Sequence, residues 1–289
     1  MAAMSEQLAG IAQMQHPLVR RLLAANPGPF TYSGTQTYLV GTRDVAVIDP
    51  GPDLPEHIDA IVDAIGNAPV RAIVCTHTHR DHSPAAAELK ARTGAPIIGC
   101  APLVLDDSGP RADAAFDRSY VPDEAMRDGG RIEGEGWTLE AVHTPGHTSN
   151  HVCYALPQAG TLFTGDHVMG WSTTVVSPPD GDMARYMESL DRLMSRDQDA
   201  FYYPAHGDPI DRPQRFVRGL IGHRKQREGQ ILRLLEKQVG AIPDMVTAMY
   251  AGVDSRLHAA AGLSVLAHLI DLETRGMVRH ADPYWSLAA

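Results

Sequence analysis

The sequence has few cysteines and no excess of positive charge. Only three cysteines occur among 289 residues, all in apolar, strand-like segments: Cys75, Cys100 and Cys153. This odd number predicts buried, reduced thiols and a cytoplasmic protein rather than a disulfide-stabilised secreted one. Lys and Arg number 25 against 35 Asp and Glu, which gives a net charge of −10. That balance disfavours a globally basic nucleic-acid-binding protein.

The chain also lacks an apolar run of the roughly 18 residues that a membrane-spanning helix requires. Glu6 lies near the start, and no apolar segment of signal-peptide length accompanies it. We therefore expect no membrane partner and no secretion by a signal peptide. Hydrophobic residues make up 44% of the chain. This is enough to bury a core in one large domain, or in a large and a small one, and it excludes intrinsic disorder.

Short apolar and β-branched segments recur through the first two thirds of the chain and predict buried strands. These segments are residues 45–49, 71–75, 96–99, 137–142, 151–156, 161–164 and 201–203. Helices are predicted at residues 56–65 and at the segment that Ser83 and Pro84 open and Gly94 closes, because a capping serine, a first-turn proline and a C-terminal glycine mark helix boundaries. The alternation predicts a layered α/β fold.

After Asp211 the pattern becomes helical. Apolar residues keep helical spacing over residues 226–239, from Pro243 onward and over residues 258–275, and residues 277–287 predict a short hairpin. Three helices followed by a hairpin are typical of a winged-helix-like domain. The predicted organisation is an N-terminal tail (1–17), a main α/β domain (18–211) and a helical C-terminal domain (212–289).

Fourteen histidines occur in the chain, and several stand in one short segment with the pattern H-x-H-x-D-H. The segment directly follows the predicted strand 71–75 and reads Thr76-His77-Thr78-His79-Arg80-Asp81-His82. Residues two apart in an extended loop point the same way, so His77 and His79 can share one metal ion, while Asp81 and His82 can face a second. The segment therefore predicts part of a two-metal site.

Both ligand sets are incomplete, because zinc takes about four ligands. Three candidates follow strand-like segments at turn positions: His147, Asp166 and His206. Loops at strand ends are where α/β folds build their sites. A carboxylate such as that of Asp166 can bridge two cations, and the neutral imidazoles can supply the remaining ligands.

With these motifs in place, the sequence resembles the metallo-β-lactamase-fold superfamily and, within it, the β-lactamase-like protein 2 family. The resemblance extends from about Leu18 over nearly the whole chain. Besides the ligand motifs it rests on residues 26–29, residues 34–40, Gly165-Asp166 followed by Thr173-Thr174, and His223-Arg224 through Arg227 into residues 230–232.

This resemblance implies the fold and a complete ligand set. The fold is an αββα metallo-β-lactamase sandwich with a small C-terminal winged-helix-like domain. His77, His79 and His147 would bind the first metal, Asp81, His82 and His206 the second, and Asp166 would bridge them. Asp81 and Asp166 are the expected catalytic residues. Two residues are expected to support the ligand loops, although Asp49 also fits a plain turn and His151 a strand start.

Substrate selection is expected from the loops around the cleft. The candidates are residues 26–36 and the segment 169–179, which carries Trp171, Thr173 and Thr174. Trp171 fits a substrate platform and ordinary loop packing equally well. Residues 212–233 hold seven basic residues against Glu228, a cluster that fits either a polyanion track or a solvated helix face.

The sequence as a whole favours a hydrolase with two zinc ions per chain, with manganese or iron as alternatives. Metal-bound hydroxide would cleave an ester, thioester, lactone or β-lactam bond of a small molecule. One alternative is a single-stranded RNA endoribonuclease, which the β-lactamase-like protein 2 resemblance suggests. Another is a nucleic-acid-binding protein with a vestigial site. The sequence leaves the oligomeric state open.

Overall fold

A computed structural model describes residues 8–103, 116–252 and 257–288. The first residues of the expected N-terminal tail, 1–7, lie outside the described part. The rest of that segment contributes a strand, β1, to the sheet described next. No helix within the described ranges is long and apolar enough to cross a membrane.

The first sheet has seven strands in sequence order. They are β1 (Gln13–His16), β2 (Val19–Leu23), β3 (Gln36–Val40), β4 (Val45–Ile48), β5 (Val70–Cys75), β6 (Ile97–Gly99) and β7 (Glu124–Ala125). Strands β1 to β4 are antiparallel, whereas β4 to β7 run parallel. Every residue of β3 and β4 is buried, as expected for strands covered on both faces.

The second sheet has five strands in the order β12-β11-β10-β9-β8. They are β8 (Arg131–Gly134), β9 (Trp137–His143), β10 (Val152–Leu156), β11 (Thr161–Gly165) and β12 (Phe201–Pro204). Only the β11–β12 pair is parallel. All the predicted strands of the two sheets form, with ends shifted by at most one residue.

The two sheets pack face to face, and helices cover their outer faces. One core cluster joins Tyr38 and Leu39 of the first sheet to Trp137, Tyr154 and Phe163 of the second. Helices α1 (Pro55–Ile65) and α2 (Ala85–Thr93) cover the first sheet, and α3 (Met183–Met194) covers the second with the start of α4 (Pro213–Glu236). The αββα sandwich is thus confirmed.

Helix α3 was not predicted, although its buried residues have helical spacing and Asp182 caps its first turn by accepting a hydrogen bond from Arg185 N at 3.0 Å. Helix α4 begins at Pro213, well before the predicted start at residue 226. Its first half packs against the main domain through Val217 and Leu220. One continuous helix therefore joins the two parts of the molecule.

The second half of α4 belongs to a separate core. Ile231 and Leu235 pack there with helices α5 (Ile242–Met249) and α6 (His258–Thr274) and with the hairpin β13 (Val278–Ala281) and β14 (Tyr284–Leu287). This helical unit with a two-stranded wing confirms the winged-helix-like prediction. Helix α6 also returns to the main domain, because Ala267 lies in the core beneath the second sheet.

Candidate metal centre

Four loops bring the predicted ligands together at one edge of the sandwich. The H-x-H-x-D-H segment leaves the end of β5, and three further loops follow β9, β11 and β12. The structure gathers all seven residues into two adjacent groups. These are His77, His79, His147 and Asp166 in the first, and Asp81, His82 and His206 in the second. The ligand atoms within each group all lie within 4.8 Å of one another.

Two glycines allow the chain to enter these loops. Gly146 has φ +138°, and a Cβ there would lie 2.3 Å from the backbone of Tyr186 on α3. Gly165 has φ +49°, and its Cβ would lie 2.7 Å from both His151 and Thr76. Both positions therefore require glycine. Each glycine immediately precedes a ligand, so the tight turns place His147 and Asp166 against the sheet edge.

In the first group the imidazole nitrogens converge closely. His77 Nε2 lies 2.9 Å from His79 Nδ1, and His147 Nε2 lies 3.2 Å from that same nitrogen. Asp166 Oδ2 lies 3.7 Å from His147 Nε2. All four side chains are buried. Three imidazole nitrogens and one carboxylate oxygen form a ligand set suited to a transition-metal ion.

The second group uses the other oxygen of Asp166. Oδ1 of Asp166 lies 3.2 Å from His206 Nε2 and 3.5 Å from His82 Nε2. Asp81 Oδ2 lies 3.1 and 3.3 Å from these same two nitrogens. Asp166 therefore faces one group with each oxygen, as a bridging carboxylate requires.

Hydrogen bonds to the far side of each ring determine which nitrogen points inward. His147 Nδ1 lies 2.7 Å from the carbonyl of Val175, and His206 Nδ1 lies 3.1 Å from that of Gly34. A carbonyl only accepts, so Nδ1 carries the proton in both rings. Nε2 is then the nitrogen that is available to a metal ion, and it is directed into its group, which is the arrangement of metal-binding histidines.

Asp49 fixes two further rings, those of His82 and His77. Its Oδ2 lies 2.9 Å from His82 Nδ1 and accepts a hydrogen bond from Thr76 Oγ1 at 2.8 Å, while Oδ1 accepts from Thr76 N at 2.7 Å. Because the Thr76 hydroxyl donates to Asp49, it accepts from His77 Nδ1 at 3.0 Å. Asp49 thus orients His82 directly and His77 through Thr76.

Two further side chains hold the backbone around Asp166. His151 Nε2 accepts a hydrogen bond from Asp166 N at 3.3 Å, and the hydroxyl of Thr174 donates to Asp166 O at 2.6 Å. Thr174 is 2% exposed. Its hydroxyl is engaged within the protein, and both Thr174 and neighbouring Thr173 line the cavity described below.

The carboxylates of this centre produce a negative electrostatic potential that stabilises positive charge. Burial raises the pKa of Asp166, but His206 and His82 outweigh this effect and hold that pKa well below its usual range. Burial likewise lowers the pKa of His206, yet Asp166 and Asp81 raise it to about 10. The carboxylates thus stabilise a cation between the rings, and metal ions can take the place of protons here.

A second observation also indicates that the side chains of these two groups suit metal ions. His82 Nε2 and Asp166 Oδ1 are fully buried yet make no hydrogen bond of acceptable geometry within the described residues. Unsatisfied buried polar atoms are costly, so such atoms call for another partner. Two convergent groups that share one carboxylate can hold two ions.

A cavity of about 560 Å³ opens directly onto this centre. Its lining is predominantly apolar and aromatic, and it comes from the loops before β3 and after β11 and from the C-terminal helices. At its mouth Trp171 stacks on Tyr32, with ring centroids 4.9 Å apart and planes inclined by 15°. Trp171 therefore both packs against another loop and forms cavity wall.

The C-terminal wall contains residues that the sequence placed in a basic cluster and in the family resemblance, but not among the candidate site residues. Arg224 of α4 is 4% exposed, donates to the carbonyl of Thr174 and lies 5.2 Å from the ring of Tyr186. The hydroxyl of Tyr186 donates to His167 O at 3.2 Å. Helical spacing places Arg224 on the same face of α4 as Leu220 and Ile231, whereas its neighbours Arg218 and Lys225 are exposed.

The sandwich and the paired ligand groups at its edge define a class of two-metal hydrolase folds. A model of the metallo-β-lactamase superfamily matches residues 31–206, and one of the β-lactamase-associated winged-helix domain matches residues 241–285. The chain therefore belongs to the metallo-β-lactamase superfamily and is a hydrolase of that superfamily.

Individual proteins agree with this assignment. A β-lactamase-like protein 2 homolog of Drosophila melanogaster is 32% identical over 272 residues, covering 90% of this chain and 89% of its own. An atrochrysone carboxyl ACP thioesterase of Cryptosporiopsis sp. is 32% identical over 227 residues, covering 76% and 64% respectively. The crystal structure of a β-lactamase domain protein from Burkholderia ambifaria shares the fold, with a TM-score of 0.80 at 22% identity and coverage of 99% and 96%.

Proposed function

We propose that this protein is a two-zinc hydrolase that cleaves the thioester or ester bond of a small-molecule acyl substrate. The observation that carries the proposal is the position of the apolar cavity, which opens directly onto the two ligand groups. An apolar pocket of a few hundred cubic ångströms is typical of small-molecule sites.

The seven clustered residues would hold the metals. In this proposal His77, His79 and His147 bind one ion and Asp81, His82 and His206 the other, with Asp166 shared. When bound, two divalent ions would generate a water-derived nucleophile at neutral pH and polarise the substrate carbonyl. Asp49 and His151 are proposed to keep the ligand loops in place, because they bond to His82 and to the backbone of Asp166.

Asp81 is the residue proposed to accept a proton from the attacking water. Its side chain is 25% exposed, against 11% for Asp166, so it is the more open of the two carboxylates toward the cavity. Its Oδ2 also lies 3.2 Å from the hydroxyl of Thr35, which donates to it. That hydrogen bond stabilises the ionised, proton-accepting form.

Bond type is inferred from the cavity and from one relative. The cavity wall outside the ligand groups is mainly apolar, so it can bury an acyl group and keep bulk water from the reaction. The Cryptosporiopsis relative is named a thioesterase of an acyl carrier protein. We therefore place thioesters first among the carbonyl substrates, ahead of lactones and β-lactams.

The RNA alternative has less support from the arrangement of charge. Arg80, Arg224 and Arg227 line the cavity, but Arg224 and Arg227 also make contacts inside the protein. The exposed basic residues of α4 are not part of the cavity wall: Arg215, Arg218, Lys225 and Arg233. A phosphate track that led to the metals would need such residues along the cavity entrance.

A substrate panel with point variants tests the proposal. Zinc-loaded protein is assayed with an acyl thioester, an aryl ester, a lactone, a β-lactam and labelled single-stranded RNA, and we expect the largest kcat/KM on the thioester. Asp81→Ala should abolish this activity, whereas the exposed Asp53→Asn should leave it unchanged. Manganese- and iron-loaded samples, with elemental analysis of protein purified without chelator, test the choice of metal.

Efficient RNA cleavage without thioester hydrolysis would overturn the proposal. Arg218→Ala with Lys225→Ala should then raise KM for RNA, because it removes exposed charge without touching the cavity. Point variants are preferable to truncation at residue 212, since α4 and α6 both pack against the main domain.

A further inference from the structure

The proposed hydrolysis does not explain one part of the cavity wall, which we call its C-terminal end. This end is lined by the residues that α4, α6 and the segment between them contribute. Two faces form it: the His223–Arg227 turn of α4 and a face of α6 that carries Ala260, Ala261 and Ser264. The small α6 side chains leave room for an organic group, while α4 adds positive charge.

The guanidinium of Arg227 is held in a defined position. Its Nε donates to His223 Nε2 at 3.3 Å, and its Nη1 donates to Gln230 Oε1 at 2.9 Å and to Met249 O at 3.2 Å. The guanidinium carbon lies 4.5 Å from the ring centroid of Tyr250. Within the described residues Nη2 has no acceptor and Arg227 has no carboxylate partner. A fixed cation with an unused N–H₂ group is preorganised to bind an anion.

The charge around Arg227 is not neutralised locally. Among the described residues that line the cavity, the only acids are Asp81 and Asp166, and both belong to the ligand groups. Arg224 is buried with its Nε unsatisfied, and His223 Nδ1 is buried without a partner in the described part. Since His223 Nε2 accepts from Arg227, Nδ1 carries the proton. Three donors without acceptors thus lie on one turn of α4.

The lowered pKa of a buried histidine, His268, also indicates positive charge in this region. Burial, followed by the charge of Arg224 and other basic groups including Arg227, lowers the pKa of His268 to about 3. His268 is a buried residue of α6, the helix that also supplies part of the cavity wall. The pKa of His223 is also lowered, by burial and then by Arg224 and Arg227. This region therefore favours negative charge.

We propose that this end of the cavity is an anion subsite, in which Arg227 Nη2 binds a carboxylate or phosphate oxygen of the substrate while the acyl group packs against Tyr250 and the α6 face. The inference rests on the proposed function for the identity of the scissile bond, but the subsite itself depends only on the α4 and α6 wall. The preferred substrates would therefore be anionic thioesters.

Three matched thioesters distinguish the source of the anion. Butyryl-N-acetylcysteamine is neutral, glutaryl-N-acetylcysteamine carries a carboxylate on the acyl group, and butyryl-phosphopantetheine carries a phosphate on the leaving group. Wild-type protein should prefer one anionic substrate over the neutral one by about tenfold to a hundredfold, as expected for a charge-assisted hydrogen bond. The preferred substrate identifies which side of the scissile bond enters the subsite.

Variants at Arg227 then test whether this residue causes the preference for anionic substrates. Arg227→Met should abolish the preference, mainly by raising KM for the anionic substrate at least tenfold more than KM for the neutral one. Arg227→Lys should retain part of the preference, because it keeps the positive charge. Arg218→Met, on the exposed face of α4, is the matched control. An equal loss on all three substrates, or no preference in the wild-type protein, would overturn the subsite.

A binding measurement separates this inference from the proposed reaction. Metal-free protein is titrated calorimetrically with glutarate or inorganic phosphate, and with neutral glutaramide. Glutarate or phosphate should bind wild-type protein and not Arg227→Met, whereas glutaramide should bind neither. If no thioester is hydrolysed but this pattern holds, the proposed function fails and the subsite stands. If thioesters are hydrolysed without any anion preference or binding, the subsite alone fails.

Discussion

Oδ2 of Asp49 lies 2.9 Å from Nδ1 of His82, and both side chains are buried. This contact joins the end of the first sheet to the second ligand group. It is made from an unusual backbone conformation, because Asp49 has φ +48°. Asparagine and aspartate tolerate this left-handed region better than most residues. Asp49→Asn therefore removes the charge while preserving the turn.

We expect Asp49→Asn to weaken metal binding by about tenfold to a hundredfold, because a ligand histidine loses its oriented carboxylate partner. The metal affinity of the second site should fall more than that of the first, because Asp49 is hydrogen-bonded directly to His82 and to His77 only through Thr76. Competition with a chromophoric chelator measures both affinities, and Asp53→Asn serves as the surface control. Two sites of wild-type affinity in Asp49→Asn would contradict this role.

Asp81 and Asp166 should differ in how many metals depend on them. Asp81→Ala removes one ligand of the second group, so we expect about one metal per chain and loss of hydrolysis with the first group intact. Asp166→Asn alters both groups, because each oxygen faces one of them, and should lower the affinity of both sites. Elemental analysis after gel filtration gives the stoichiometry. Full turnover by Asp81→Ala with a single metal would show that the second site is not required.

Arg224 should act as a positioning residue for the first ligand group. It donates to the carbonyl of Thr174, whose hydroxyl holds Asp166 O and whose neighbour Val175 accepts from His147. Arg224→Met should therefore lower the affinity of the metal bound by His147 by about tenfold and reduce kcat. Arg224→Lys should retain part of the metal affinity and part of kcat, because lysine can still donate a hydrogen bond to the carbonyl of Thr174.

The control for Arg224 is Arg218→Met, which changes an exposed residue of the same helix. Chelator competition and thermal unfolding are measured on each variant. A fall in thermal stability with unchanged metal affinity would mean that Arg224 only holds α4 against the main domain.

His57 should make the protein sensitive to mild acid. Burial lowers its pKa from 6.5 to about 4. The Thr37 hydroxyl donates to Asp49 O and so accepts from His57 Nε2, which leaves Nδ1 unprotonated and buried. Between pH 6.5 and 4 the unfolded chain binds this proton and the folded chain does not. Stability from this residue is therefore lost as the pH falls through that range, by up to about 3 kcal/mol.

Comparison of wild-type protein with His57→Gln isolates this contribution, because glutamine keeps an N–H donor and does not titrate. Urea midpoints measured at intervals from pH 7 to pH 4 should fall less steeply for His57→Gln. His280→Gln, which changes an exposed histidine, should follow the wild type. Identical pH dependence for all three proteins would rule out His57 as the source.

Most of the fold could be predicted because its signals are local. The strands that end near the ligand groups are short, β-branched and bounded by turn residues, and the winged-helix-like unit shows helical periodicity. Helix α3 was missed, although Tyr186 and Leu190 have the correct spacing. Its role became visible only where Tyr186 packs behind Gly146 and supports the ligand loops.

The sequence by itself also determined the H-x-H-x-D-H cluster and the strand-end positions of His147, Asp166 and His206. These depend on spacing and on where strands end, both of which are local properties. The direction of three of the rings depends on distant partners: Asp49, Gly34 and Val175 accept from Nδ1 of His82, His206 and His147 and so turn Nε2 inward. Only the assembled sheets bring those acceptors within reach.

The tertiary structure alone decided what the basic residues of α4 do. Along the chain, Arg218, Arg224 and Arg227 belong to one basic cluster, although Arg224 and Arg227 also lie in the segment that carries the family resemblance. In the fold Arg218 is exposed, Arg224 is buried behind Thr174, and Arg227 lines the cavity. The physical reason is that a helix distributes neighbouring residues around its axis. The surfaces that pack against it then determine which charges meet water, backbone carbonyls or a ligand.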